Sequence, residues 1–421
     1  MLRAVALLLS LLLADLVTAQ DATAPSVQDR LLAAARQNAH AIEFDGSSFA
    51  GPGWSLVQRE TRDCEFVLLG EEHGLAEIPV FARELFLGLR PHGFDTLAVE
   101  ISAPIAEELD RAARDGLSGI EAFVRSWPPG PAFYFWKSEA ELIAAVRAAV
   151  PGPQDVVWGL DYEVTCDRRL IDRLRHRAPA AARAALDTLL QASAAAAAKW
   201  RETRSPAELF LFSGDPELVR AVRAAWPAPD AEASRLLRTL EESLEINRLF
   251  PDRPWESNER RSRFNRANLI EQLAAAERRA ARPKVLFKMG ETHLMRGVTS
   301  TGNFDVGSLV AEIAALRGGK SFSIIAGGGK GGRHGILKPT DMSVVDAPVS
   351  MFEGLMKLGF LTEAFAGTSP VLIDLRPLRA IVSTPTRLAS LHNAEAVRAI
   401  HAFDVMVIWN GSTAARMLVK P

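Results

Sequence analysis

Two histidines in this chain stand in near copies of one motif. His73 closes Gly70-Glu71-Glu72-His73, and His293 closes Gly290-Glu291-Thr292-His293. An imidazole with an ordinary pKa of about 6.5 can take or give a proton at neutral pH, and a nearby carboxylate can orient the ring and balance its charge. Glu100 ends another apolar run, and Asp161 follows one that closes at Gly159. Glu71 and Glu72 also suit the positive end of a following helix, which is the plainer reading of either alone. Two apolar runs that each end in Gly-Glu-x-His point instead to one shared site.

The elements that must position these groups are legible around them. Phe66, Val67, Leu68 and Leu69 have no polar alternation, as in a strand buried on both faces. Ile78, Phe81, Leu85 and Leu89 then recur at helical spacing up to Pro91 and Gly93, and a second apolar run over 96–99 ends on Glu100. A strand, helix, strand order of this kind crosses over right-handed and makes its strands parallel, so His73 and Glu100 share one sheet edge. Further strand-like runs lie at 156–158, 284–289, 322–325, 371–375 and 405–409. The expected fold is α/β, a mostly parallel central sheet of about six or seven strands flanked by helices. Residues 168–282 are Ala- and Arg-rich without a strand-like run, and read as a helical insertion over the active edge. Within it Arg261 and Asn268, seven apart, fall on one helix face.

Residues 1–19 have the pattern of an export signal: Arg3, an apolar core over 4–13, and Val17-Thr18-Ala19 before the cut. The expectation is a secreted or periplasmic chain cleaved near Ala19, with no membrane-spanning segment afterwards. Residues 20–60 read as a helical lead-in and 61–421 as the catalytic domain. A net charge of −2 argues against a nucleic-acid partner. The 421 residues, 48% hydrophobic, are ample for a large core. The two cysteines, Cys64 and Cys166, precede and follow their strands, a poor geometry for a disulfide. There is no Gly-x-Ser-x-Gly elbow and no dinucleotide fingerprint after the first strand. The glycine-rich run 327–335 lacks phosphate-loop spacing and reads as a mobile loop or lid. Phe133-Tyr134-Phe135-Trp136 are either a pocket wall or packing for the next helix.

Taken together, Leu69 to Gly74 with Glu77 and Arg83, Gly93-Phe94 to Glu100, Phe135 to Glu139, Gly159-Leu160-Asp161, Arg261 with Asn268, Gly290 to His293, Phe403-Asp404 and Thr413 to Leu418 resemble the erythromycin esterase family. The similarity runs in order along nearly the whole mature chain. The motifs also look like the paired Gly-x-x-His of the related Tiki, TraB and ChaN proteins. The resemblance implies an ester, lactone or amide hydrolase acting on a small-molecule or peptide substrate. In it His73 would activate water, Glu71 or Glu100 would orient that ring, and His293 would serve as acid or polarise the carbonyl. Glu72, Arg83, Trp136, Asp161, Arg261, Asn268 and Glu291 are the expected substrate-binding residues. The resemblance also admits a haem- or metal-binding protein, or a metal-dependent peptidase of the ChaN or Tiki type. His73, His293 and Glu100 would then hold manganese, cobalt or zinc. The reading adopted is acid–base chemistry with no required cofactor.

Overall fold

The computed structural model describes residues 25–126, 130–279, 282–338, 343–349, 358–367, 370–383 and 394–419. The expected export signal at 1–19 lies outside them. Twelve strands run in chain order among the described residues: β1 (Ala39–Ala41), β2 (Glu43–Phe44), β3 (Phe49–Ala50), β4 (Phe66–Glu71), β5 (Phe94–Ser102), β6 (Val157–Asp161), β7 (Lys284–Gly290), β8 (Ser321–Gly328), β9 (Arg333–Lys338), β10 (Ser343–Pro348), β11 (Val371–Asp374) and β12 (Val405–Trp409). Eight form one sheet in the order β1-β11-β12-β8-β4-β7-β5-β6. The run from β12 to β6 is parallel throughout. β11 is antiparallel to β12, and β1 to β11. The mostly parallel α/β sheet expected from the sequence is therefore present, with one more edge strand than expected.

That extra strand is β1, inside the segment expected to be purely helical. Helices Val27–Gln37 and Gly51–Thr61 do form, but three short strands lie between them. Ala39–Ala41 is too short to show a period of two, and its place is fixed by pairing with β11.

The two sheet faces carry separate cores, and strand parity decides which residues join each. Val67 and Leu69 of β4 and Leu286 of β7 face a core shared with helix Lys137–Ala149. Phe66, Leu68, Val285, Phe287 and Met289 face the other, shared with helix Pro254–Glu277. Every described element from Asp167 to Glu277 is helical. The last of these helices also closes the β6 edge: Asn268 Nδ2 donates to the Leu160 carbonyl at 2.8 Å and Gln272 Nε2 to the Gly159 carbonyl at 2.7 Å. A bare strand edge would otherwise invite pairing with another chain. Cys64 and Cys166 are both buried free thiols. No described helix is long and apolar enough to cross a membrane.

The glycine-rich run is no separate lid. Its first residues extend β8 to Gly328, and after a turn the chain enters the β9–β10 hairpin. Gly335 N donates to the Gly74 carbonyl at 2.8 Å, and the same carbonyl accepts from Ala415 N at 2.8 Å. The hairpin is thus tied to the turn that follows His73.

Candidate active site

β4 sits between β7 and β8 in a register that sets Glu71 opposite Gly290 on one side and Ala326 on the other. Both Gly-Glu-x-His motifs therefore leave the sheet side by side. Glycine at 290 leaves room for both groups, since a Cβ there would lie 3.0 Å from His73 Nε2 and 3.1 Å from Glu100 Oε2 and would press on them.

His73 stands where the two faces meet. Its Nδ1 lies 3.1 Å from Glu71 Oε1, and its Nε2 lies 3.5 Å from Glu100 Oε2. The ring of Phe133 stacks on the imidazole at 4.1 Å and 17°. Phe133 reaches it from a left-handed turn with φ of 62°, a conformation that a bulky side chain adopts only where its surroundings hold it. The His73 side chain is 24% exposed, against 9% or less for Glu71, Glu100 and His293, so its ring is the one that meets solvent.

On one face Glu71 is held from behind. Strand parity turns Glu71 and Lys288 toward the core that helix Lys137–Ala149 covers, and Glu139 comes from the first turn of that helix. Lys288 Nζ donates to Glu71 Oε1 and to Glu139 Oε1, each at 2.6 Å. On the other face helix Pro254–Glu277 supplies Arg261. Its Nη2 donates to Glu100 Oε1 at 2.8 Å, and its Nε to Asp161 Oδ1 at 2.9 Å. The guanidinium also engages the second Asp161 oxygen and lies over the Tyr162 ring at 4.9 Å. Glu100 accepts in addition from the Gly290 backbone N–H. His293 Nδ1 lies 2.7 Å from Asp305 Oδ2, and its Nε2 3.5 Å from Glu100 Oε1. Asp305 is itself fixed by Ser262 Oγ at 3.0 Å and by capping helix Val306–Leu316 through Val306 N.

These neighbours set the protonation states. Burial disfavours a charged His73 ring, but Glu100 and Glu71 outweigh it and raise its pKa above the ordinary 6.5. Burial and Arg261 oppose a charged His293, yet Glu100 and Asp305 raise it to about 10, so it is an imidazolium at neutral pH. Glu100 is held well below the usual carboxylate range: burial works against its charge, and His73, His293 and Arg261 overcome burial. Both imidazoles are thus raised above the ordinary value, His73 by Glu100 and Glu71 and His293 by Glu100 and Asp305.

The structure brings together His73, Glu71, Glu100, His293, Asp161 and Arg261. Trp136 is buried behind Phe133, with ring centroids 5.9 Å apart. Glu291 opens the short helix Glu291–Leu294, is buried, and accepts from Thr292 Oγ1 at 3.1 Å. Three expected residues lie elsewhere. Arg83 turns toward the N-terminal segment, donating to Glu84 at 2.8 Å and to the Ser47 carbonyl at 3.2 Å. Asn268 is occupied by the β6 edge. Glu72 points under the β8–β9 turn, where Oε2 accepts from Gly328 N at 2.8 Å and burial pushes its pKa up to about 7. Lys288, Glu139, Asp305 and Phe133 complete the cluster without being among the residues expected there.

Glu100, Asp161 and His293 each offer an atom within 4.8 Å of the others, a spacing that suits a metal ion. Arg261 already engages one oxygen of Glu100 and both oxygens of Asp161, so a cation held here would share these carboxylates with the guanidinium.

No family model matches this chain, and no curated protein matches its sequence. Solved structures do share its fold. A protein from Bacillus cereus superposes with a TM-score of 0.57 at 14% identity, over 93% of this chain and 100% of that one. A mutant of the erythromycin esterase EreC in its open conformation gives 0.55 at 17% identity, over 87% and 95%. A succinoglycan biosynthesis protein gives 0.56 at 13%, over 94% and 100%. At such identities the likeness is one of fold.

Proposed function

We propose that the chain is an exported hydrolase of an ester, lactone or amide, in which His73 activates water. The observation that carries this reading is the His73 ring, anchored at Nδ1 by an ionised carboxylate and more exposed than the two carboxylates and the His293 imidazole around it. The Nδ1–H donates to Glu71, which leaves Nε2 as the basic nitrogen. Nε2 takes a proton from water as the oxygen attacks the carbonyl carbon. The negative charge that develops on the carbonyl oxygen is stabilised by the cationic side of the cluster, His293 and Arg261. As the tetrahedral intermediate collapses, the proton held by His73 passes to the departing oxygen or nitrogen. Ser262, which reaches the cluster through Asp305, spends its hydroxyl on that carboxylate, and burial raises both thiols out of nucleophilic range. The fold shared with the esterase EreC agrees with a hydrolase, and the pattern of residues 1–19 supports export.

The test is turnover of a panel of lactones, esters and peptides by the mature chain. Failure across the whole panel at micromolar enzyme would remove the hydrolytic reading. For any substrate found, kcat/KM should rise with pH, with its half-maximum above 6.5. The sign follows from the role: a base works unprotonated, and a raised pKa keeps it protonated to higher pH. A half-maximum below 6.5 would show that His73 is not the titrating base.

Activity should also survive dialysis against a strong chelator, because the proposed reaction uses His73 as a base and takes no step through a metal. Loss on chelation with recovery on adding manganese, cobalt or zinc would make His73, His293 and Glu100 ligands instead.

A further inference from the structure

Behind His73 the protein buries three charges in a place built for hydrocarbon. Lys288 is 2% exposed, Glu139 2% and Glu71 5%. Their strand and helix neighbours on the same face are Leu286, Leu69, Leu142 and Ile143, all in one core. Leucine at 288 would continue the pattern of β7. An ion triad that could be replaced by hydrocarbon is weak evidence for stability, since desolvating each ion costs several kcal/mol and apolar replacements are often neutral or better. The geometry instead couples the triad to the imidazole. Glu71 Oε1 is shared: Lys288 Nζ donates to it at 2.6 Å from one side, and His73 Nδ1 lies 3.1 Å away on the other.

We propose that Lys288 and Glu139 are positioning residues for the reaction, acting on the imidazole of His73 through the shared carboxylate of Glu71. The proposal rests on the reading of His73 as the base. Lys288 fixes Glu71 Oε1 as the acceptor for the Nδ1–H that leaves Nε2 basic, and its own positive charge opposes protonation of the ring, while His73 itself helps hold Glu71 ionised. Glu139 balances Lys288 and sets how much of its positive field reaches the ring. The charged groups around the imidazole are Glu71 and, facing the β8–β9 turn, Glu72 on its own turn, Glu100 from β5, and Lys288 from β7. Glu139 from helix Lys137–Ala149 lies behind Lys288, while His293 and Arg261 lie beyond Glu100. Glu71 is lowered despite its burial, by Lys288 and His73, while burial raises Glu139 to about 7. Glu139 is thus the member of the triad that takes up a proton most readily.

The pair can be tested on the mature chain without a substrate, by NMR titration of the histidine rings, with the His73 signal identified from its loss in His73→Ala. In Glu139→Gln the field of Lys288 is less balanced, and the His73 midpoint should move to lower pH by about half a unit to one unit. In Lys288→Met the cation is gone, Glu139 takes up a proton, and the midpoint should move to higher pH by a similar amount. Should Lys288→Met not fold, the double variant Lys288→Met/Glu139→Gln, which leaves no unbalanced charge in place of the pair, should show the same upward shift. With a substrate, kcat/KM at neutral pH should rise in Glu139→Gln and fall in the lysine variants, with KM unchanged. A pair that only supports the fold would alter melting while leaving the His73 midpoint fixed, or would move it in the same direction in all variants, and either result overturns the proposal. Opposite shifts without any hydrolysed substrate would keep the coupling and discard the hydrolytic reading. Hydrolysis dependent on His73 without opposite shifts would do the reverse.

Discussion

His73→Ala should lower kcat/KM at least about a hundredfold on any substrate the parent cleaves, the loss expected when a positioned general base is removed. The fold should survive, because the ring sits at a strand end and contributes little to either core. The change in stability should be about 1 kcal/mol, and it should depend on pH. The folded pKa of His73 is raised, so its charged form stabilises the fold; that contribution is complete below the ordinary imidazole value and vanishes as pH rises through the folded one. Denaturant unfolding of the parent and variant should therefore differ more in mild acid than at a pH above the folded value. Near-parental turnover by a folded His73→Ala would end the assignment of the base.

The parts of this site that the sequence reveals are those whose chemistry and backbone signal coincide. Gly-Glu-x-His after an apolar run marks both a strand end and a titratable cluster, so β4, β7, His73 and His293 can be placed from the amino-acid pattern alone. Glu100 and Asp161 end strands in the same way. Arg261 is found from its helix face, but the same reasoning selects Asn268, seven residues on. The difference between them is tertiary: the β6 edge needs a donor at the height of Asn268, while Glu100 and Asp161 need a cation at the height of Arg261. Arg83 shows the opposite failure, since a helix arginine near a motif has many possible partners and this one finds Ser47.

Lys288 is hidden for another reason. A lysine in KVLFKMG reads as an ordinary polar position in a strand, and only its parity with Leu286 marks it as facing a core. Its two carboxylate partners lie 217 and 149 residues away in sequence. Asp305 is likewise visible in sequence only as a helix cap, and its hold on His293 depends on the chain returning after the Glu291–Leu294 helix. β1 escapes because three residues cannot display a period.

Glu100 is the residue on which both faces of the cluster depend, and Glu100→Gln should have the largest effect on stability. Its Oε1 accepts from Arg261 and lies 3.5 Å from His293 Nε2, while Oε2 accepts from Gly290 N and lies 3.5 Å from His73 Nε2. An amide of the same shape removes the negative charge and points N–H groups at one set of donors. Arg261 keeps Asp161, but His293 and Arg261 are left close to one another with less compensation. Breaking a buried charge cluster from one side in this way costs about 3–5 kcal/mol. The pH dependence has a definite sign: the pKa of Glu100 is depressed in the fold, so its contribution is present above the unfolded carboxylate value and is lost as pH falls through the folded one. The gap between parent and Glu100→Gln in denaturant unfolding should thus be full at neutral pH and narrow below about pH 4. Because Glu100 is among the groups that raise both imidazoles against burial, the midpoints of His73 and His293 should both move toward acid in the variant. A variant with parental stability at neutral pH and unmoved histidine titrations would mean that Glu100 does not join the two faces, and that His293 takes its charge from Asp305 alone.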